Sequence, residues 1–127
     1  MSIPGPNLKT AATQFLVLTA DGQVSEAYDL YVGPEFRHHN IFFKGDAASL
    51  QEAMEESAEN FPGKKLEIQF AIEEDNRVAV YSKIKMFTDD PGTALVHLFL
   101  FNNNKIVELW DLAQPSPTEI INENGLF

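Results

Sequence analysis

The chain has 127 residues, with 19 Asp and Glu against 9 Lys and Arg, a net charge of −10, and 44% of its residues are hydrophobic. That length suits a single domain over residues 1–127, since domains run to roughly 100–200 residues, and the apolar content with 10 Phe excludes a disordered chain. The acidity argues against nucleic acid or an anionic membrane surface as partner, and the lack of Cys excludes disulfides, thiolate metal sites and a Cys nucleophile.

The opening MSIPGPNLKT has no basic start followed by an apolar run, so no secretory leader is expected. No stretch approaches the ~18 apolar residues of a membrane span, and a cytoplasmic protein is the simplest expectation. After Pro4 and Pro6, Asn7 is a candidate cap for a first helix to Ala20, with Leu8, Ala11, Ala12, Phe15 and Leu18 on one face. Asp21-Gly22 stops it. A second helix, Val24–Tyr31, carries Val24, Ala27, Tyr28, Tyr31 and Val32 on one stripe and ends at Gly33-Pro34. A short extended piece, Phe36 to Asn40, precedes a third helix over Asp46–Asn60. That helix turns Leu50, Ala53, Met54, Ala58 and Phe61 inward and leaves its glutamates in water.

From Lys65 the period changes to two. Strands are expected near Leu66–Ile72, Arg77–Phe87, Thr93–Phe101 and Lys105–Ala113, with turns at Glu74-Asp75-Asn76, Asp89-Asp90-Pro91-Gly92 and Asn102-Asn103-Asn104. Helices followed by a meander imply an α+β fold, three N-terminal helices on one face of a curved antiparallel sheet. Alternation assigns Ile68, Phe70, Val80 and Ile84 to one face, and Phe87, Phe99 and Phe101 to the other. Both faces are then apolar, and three helices cover only one, so a homodimer is expected.

The polar residues that matter are those embedded in apolar strands. His97 lies within Ala94-Leu95-Val96-His97-Leu98-Phe99-Leu100-Phe101, and Asp111 within Ile106-Val107-Glu108-Leu109-Trp110-Asp111-Leu112-Ala113. If the hairpin pivots about Asn103, His97 faces residues 109–111, which makes it a direct or diagonal neighbour of Asp111. Parity puts Leu95, Phe99, Val107 and Leu109 on the same face. A carboxylate beside an imidazole in apolar surroundings can serve as a general base, its pKa raised by burial. The alternative is a satisfied core hydrogen bond, and the sequence leaves both open. His38-His39-Asn40 is a second polar cluster with its two histidines on opposite faces. The spacings match no metal motif, and no phosphate loop or nucleophile elbow is present.

Leu95–Phe101 followed by Asn104-Lys105-Ile106-Val107-Glu108-Leu109-Trp110-Asp111-Leu112-Ala113-Gln114-Pro115 resembles the SnoaL-like polyketide cyclase group of the NTF2-like superfamily, which carries "DGKIVEHWDVIQP" here. Val32-Gly33-Pro34-Glu35-Phe36-Arg37-His38-His39-Asn40 is similar to its "YVxPxYIQHNP" element, and the ending Asn122–Phe127 to its "NGMF" tail. The resemblance covers nearly the whole chain. It implies a cone-shaped fold enclosing an apolar cavity, a homodimer, and Asp111 as the cavity acid, with His39, Asn40, Trp110 and Gln114 also matching. Where the group has the aspartate of "VVDIFR", its arginine, and the histidine of "EHWD", this chain has His97, Leu100 and Leu109.

The expected function is therefore a cofactor-independent cyclase or isomerase acting on a hydrophobic small molecule, without a metal. Asp111 would abstract a proton α to a carbonyl with His97 beside it, for aldol cyclisation, isomerisation or dehydration. His39, Asn40, Tyr81, Phe99, Leu109 and Trp110 are the candidate ligand contacts. Two other functions stay open: a non-catalytic binding module for a hydrophobic molecule in the same cavity, and a dimeric interaction protein whose cavity is packed shut.

Overall fold

The computed structural model describes residues 7–127; Pro4, Pro6 and the start read for a leader lie outside the described residues. Helix α1 (Leu8–Ala20) starts where the Asn7 side chain accepts the Thr10 N–H, and α2 (Val24–Tyr31) follows after a tight turn. The chain passes directly from Tyr31 into strand β1 (Val32–His38). Helix α3 (Ala47–Asn60) is capped by Asp46, whose carboxylate accepts from the Ser49 N–H and hydroxyl. These bonds hold the Asp46 carboxyl below its ordinary pKa.

Four longer strands follow: β2 (Lys65–Glu74), β3 (Arg77–Lys85), β4 (Thr93–Asn102) and β5 (Lys105–Pro115). Two of the three connections are two-residue turns whose central residues, Asp75-Asn76 and Asn103-Asn104, all have positive φ. Asn and Asp tolerate that region best among residues with a side chain, and such turns match the twist of the paired strands. Strand β3 ends at Lys85, two residues short of the expected Phe87. The Asp90 carboxylate takes the Met86 and Gly92 N–H groups, which diverts Met86 from the ladder.

The sheet order is β1-β5-β4-β3-β2. The meander β2–β5 is antiparallel as expected, but β1 joins β5 in parallel, so the sheet is mixed. The segment expected as a short extended piece is thus a true edge strand. Gly33 permits its close approach, because a Cβ there would lie 3.2 Å from Cβ of Lys105.

Two bulges revise the expected faces. In β2 the register shifts between Ile68 and Phe70, so Leu66, Ile68 and Ala71 pack toward the helices while Phe70 and Ile72 turn outward, both more than half exposed. In β5 the register shifts near Val107, and Ile106 enters the core where parity had placed Val107. Phe99 and Phe101 share the helix-side face with Val80, not the opposite one. The core is Phe15, Tyr28 and Phe36 from the helical half against Val78, Val80, Phe99, Ile106 and Leu109, with Phe15 edge-on to Phe99 at 6.0 Å. The outer face keeps Phe70, Ile72, Leu98 and Leu112 exposed. No helix among the described residues is long and apolar enough to cross a membrane.

Candidate functional site

The Asn103-Asn104 turn starts the hairpin with Asn102 opposite Lys105, and the bulge near Val107 then shifts the register by one residue, which places His97 directly opposite Asp111 on the helix-side face. The two are cross-strand neighbours, yet no hydrogen bond joins them. Asp111 instead accepts from Asn40 Nδ2 at 2.9 Å. The amide is oriented by its own Oδ1, which accepts the Phe42 N–H at 3.0 Å, so the NH2 group is the end turned toward the carboxylate. Asp111 is half-buried and forms no ion pair with Lys or Arg among the described residues.

His97 is buried, stacks against Phe99 at 6.1 Å between centroids, and its Nδ1 has no hydrogen-bond partner. Desolvation pushes its pKa down to about 4, against the opposing pull of the Asp111 carboxylate. The imidazole is therefore neutral near pH 7. A second polar atom on the same face, Oγ of the fully buried Ser82, is likewise unpartnered.

The His39-Asn40 step straddles β5. Asn40 reaches Asp111 on the helix side, while His39 lies on the outer side, its ring stacked on Trp110 at 5.0 Å and 5°. His39 Nε2 is 2.6 Å from Oε2 of Glu108, and Arg37 grips the same carboxylate through Nε at 3.0 Å and Nη2 at 3.2 Å. Glu108 is buried although it is charged. The hydrogen bonds from His39 and then Arg37 hold its carboxyl below the ordinary pKa. His38 points inward, with its Nε2 bonded to the Lys44 carbonyl and its Nδ1 accepting the Asn40 N–H.

The sequence-derived site residues therefore divide into two groups. Asp111, Asn40 and His97 occupy the helix-side face. His39 and Trp110 sit together on the outer face, as does Tyr81, which packs on Phe70 and donates to the Leu126 carbonyl. Phe99 and Leu109 form a cross-strand core pair, each 1% exposed. These residues cannot all line one pocket. A cleft of about 480 Å3 opens on the outer side along Ile72, Arg77, Ala79, Leu98 and Trp110, and Asp111 does not line it. Among the described residues no three His, Asp or Glu side chains converge as a metal site. Sequence reasoning missed Glu108, Arg37 and Ser82. A lone Glu in the apolar run Ile106–Leu112 is the same kind of signal that marked Asp111.

No protein-family model matches the sequence, and no curated protein matches it either. Solved structures do match in fold. A protein of Acidithiobacillus ferrooxidans provisionally named a polyketide cyclase is 20% identical, with a TM-score of 0.69 over 90% of this chain and 92% of its own. An NTF2-like protein of unknown function from Cytophaga hutchinsonii is 14% identical, with a TM-score of 0.70 over 90% and 96%. A protein of Agrobacterium tumefaciens provisionally named an isomerase of the SnoaL-like family is 11% identical, with a TM-score of 0.68 over 84% and 97%. The chain thus shares the fold of NTF2-like proteins.

Proposed function

We propose that the protein is a small-molecule enzyme that removes a proton α to the carbonyl of a hydrophobic substrate held against the helix-side face, with Asp111 as base. The chemistry is of the lyase or isomerase kind (aldol cyclisation, isomerisation or dehydration) and uses no cofactor. One observation carries this reading: Asp111 is presented on the helix side by a neutral amide, with no Lys or Arg among the described residues paired to it and a neutral imidazole opposite. A carboxylate without a cationic partner is free to take a proton from a bound substrate. The names of the fold relatives, polyketide cyclase and SnoaL-like isomerase, point to the same class of chemistry.

Replacing Asp111 by Asn preserves shape and can still pair with Asn40 through its oxygen, but removes the base. Turnover of a carbonyl substrate should fall by roughly 10²-fold or more with the far-UV circular dichroism unchanged. Unchanged turnover refutes the role. Binding without turnover is the second reading. It is favoured by Leu109, which stands where the resembling group has histidine and is a fully packed core side chain. A homodimer through the outer face, where Phe70, Ile72, Leu98 and Leu112 are exposed, completes the proposal. The acidic, cysteine-free composition fits the reducing cytoplasm.

A further inference from the structure

Ser82, His97 and Asp111 stand on three adjacent strands. Val80 pairs with His97 and Ser82 with Leu95, so Ser82 is the diagonal neighbour of His97 on the helix-side face, and His97 in turn faces Asp111. The three form a polar row across a surface otherwise lined by Val78, Val80, Phe99 and Leu109. Ser82 is 0% exposed and His97 8% exposed, yet Ser82 Oγ and His97 Nδ1 have no partner, not even each other. A buried polar atom left unpaired destabilises the fold, so two side by side call for an occupant. Diagonal neighbours in a sheet have Cβ atoms up to about 7 Å apart, a span that one oxygen can bridge by accepting from both side chains.

We propose that the Ser82 hydroxyl and the His97 Nδ1–H together hold the carbonyl oxygen of the substrate, making Ser82 a catalytic residue beside the base. The inference rests on the reading of Asp111 as base at this face. In the step itself the Asp111 carboxylate takes the α-proton, the C–H electron pair forms the C=C bond, and the carbonyl π pair moves onto oxygen. The enolate oxygen then lies between two buried donors, where hydrogen bonds to developing charge act most strongly.

The test compares two probes of nearly equal shape, 2-acetylnaphthalene and 2-isopropenylnaphthalene, bound to the wild-type protein, Ser82→Ala and Asp111→Asn. The wild type should favour the ketone by about tenfold. Ser82→Ala should bring the two probes close to equal affinity without weakening the hydrocarbon, and Asp111→Asn should keep the preference. Ser82→Cys, close in volume but a far weaker donor, should reproduce the loss if the alanine variant folds poorly. Equal binding of both probes to the wild type overturns the donor pair while leaving an apolar ligand site standing. A preference that survives Ser82→Ala also overturns it, as does a crystallographic water bridging both atoms that stays in place with ketone bound. Binding of neither probe defeats the ligand reading itself, and this inference with it.

Discussion

Burying a histidine in its neutral form makes folding depend on pH in a window set by that residue. His97 has an ordinary pKa of 6.5 when unfolded and about 4 when folded, chiefly through desolvation, with Asp111 opposing. Above about pH 6.5 neither state holds the proton, and His97 contributes no pH dependence. Between the two values only the unfolded imidazole is protonated, so acidification draws the chain toward unfolding. Below about 4 both states are protonated and the loss levels off. The full difference is worth about 3 kcal/mol, of which about 2 kcal/mol is lost between about pH 7 and about pH 5. His97→Phe keeps a planar ring beside Phe99 and removes both the titration and the orphan Nδ1. At neutral pH its stability should be near that of the wild type or above it. Urea unfolding of both proteins at the two pH values measures the quantity directly. His38 and His39 are present in both chains, so their titration cancels in the comparison. The wild type should lose about 2 kcal/mol more than the variant on acidification. Equal losses would show that His97 is hydrated in the folded state, and its reading as a buried, unpaired side chain would have to be abandoned.

Two further outcomes follow from the geometry. Glu108→Gln should lower the melting temperature by about 4 °C at neutral pH, a modest effect because Arg37 is largely exposed and its ion pair is screened. Since the folded Glu108 pKa is depressed, its contribution is present above its unfolded value and fades as pH falls through the folded one, so the two melting curves should converge in acid. On the outer face, Phe70→Asp should convert a micromolar dimer to monomer in sedimentation velocity without changing the circular dichroism. A wild-type monomer at that concentration removes the assembly from the proposal.

The asparagine turn was legible, and pivoting the hairpin about it brought His97 within reach of residues 109–111. Counting from a two-residue turn pairs His97 with Trp110, however, and the bulge near Val107 is what brings Asp111 opposite. The helices were legible from their caps, Asn7 and Asp46, and from stripes interrupted by Gly and Pro. Parity failed where the strands bulge. One extra residue near Gln69 turns Phe70 outward, and another near Val107 substitutes Ile106 in the core. Neither site carries a glycine or any other residue type that announces a bulge. The alternation of β2 therefore reads as one continuous apolar face when it is two half-faces. The pairing of β1 with β5 was invisible for a different reason. It joins residues about seventy positions apart, and no local pattern encodes which edge of the sheet a short strand will choose. Asn40 on Asp111 and His39 on Glu108 both depend on that choice.

The parallel pairing of β1 with β5 also bears on the order in which the molecule is assembled. Hairpins β2–β3 and β4–β5 close over two-residue turns and can form as soon as their strands exist, whereas β1 must wait for a partner made at the far end of the sheet. On a chain emerging N-terminus first, α1, α2 and β1 are complete while β5 is still unmade. Their apolar faces, Phe15, Tyr28 and Phe36 among them, then have no sheet to cover. Closure of the long loop between β1 and β5 is consequently a late event, and only then can Asn40 reach Asp111 and set the carboxylate in place.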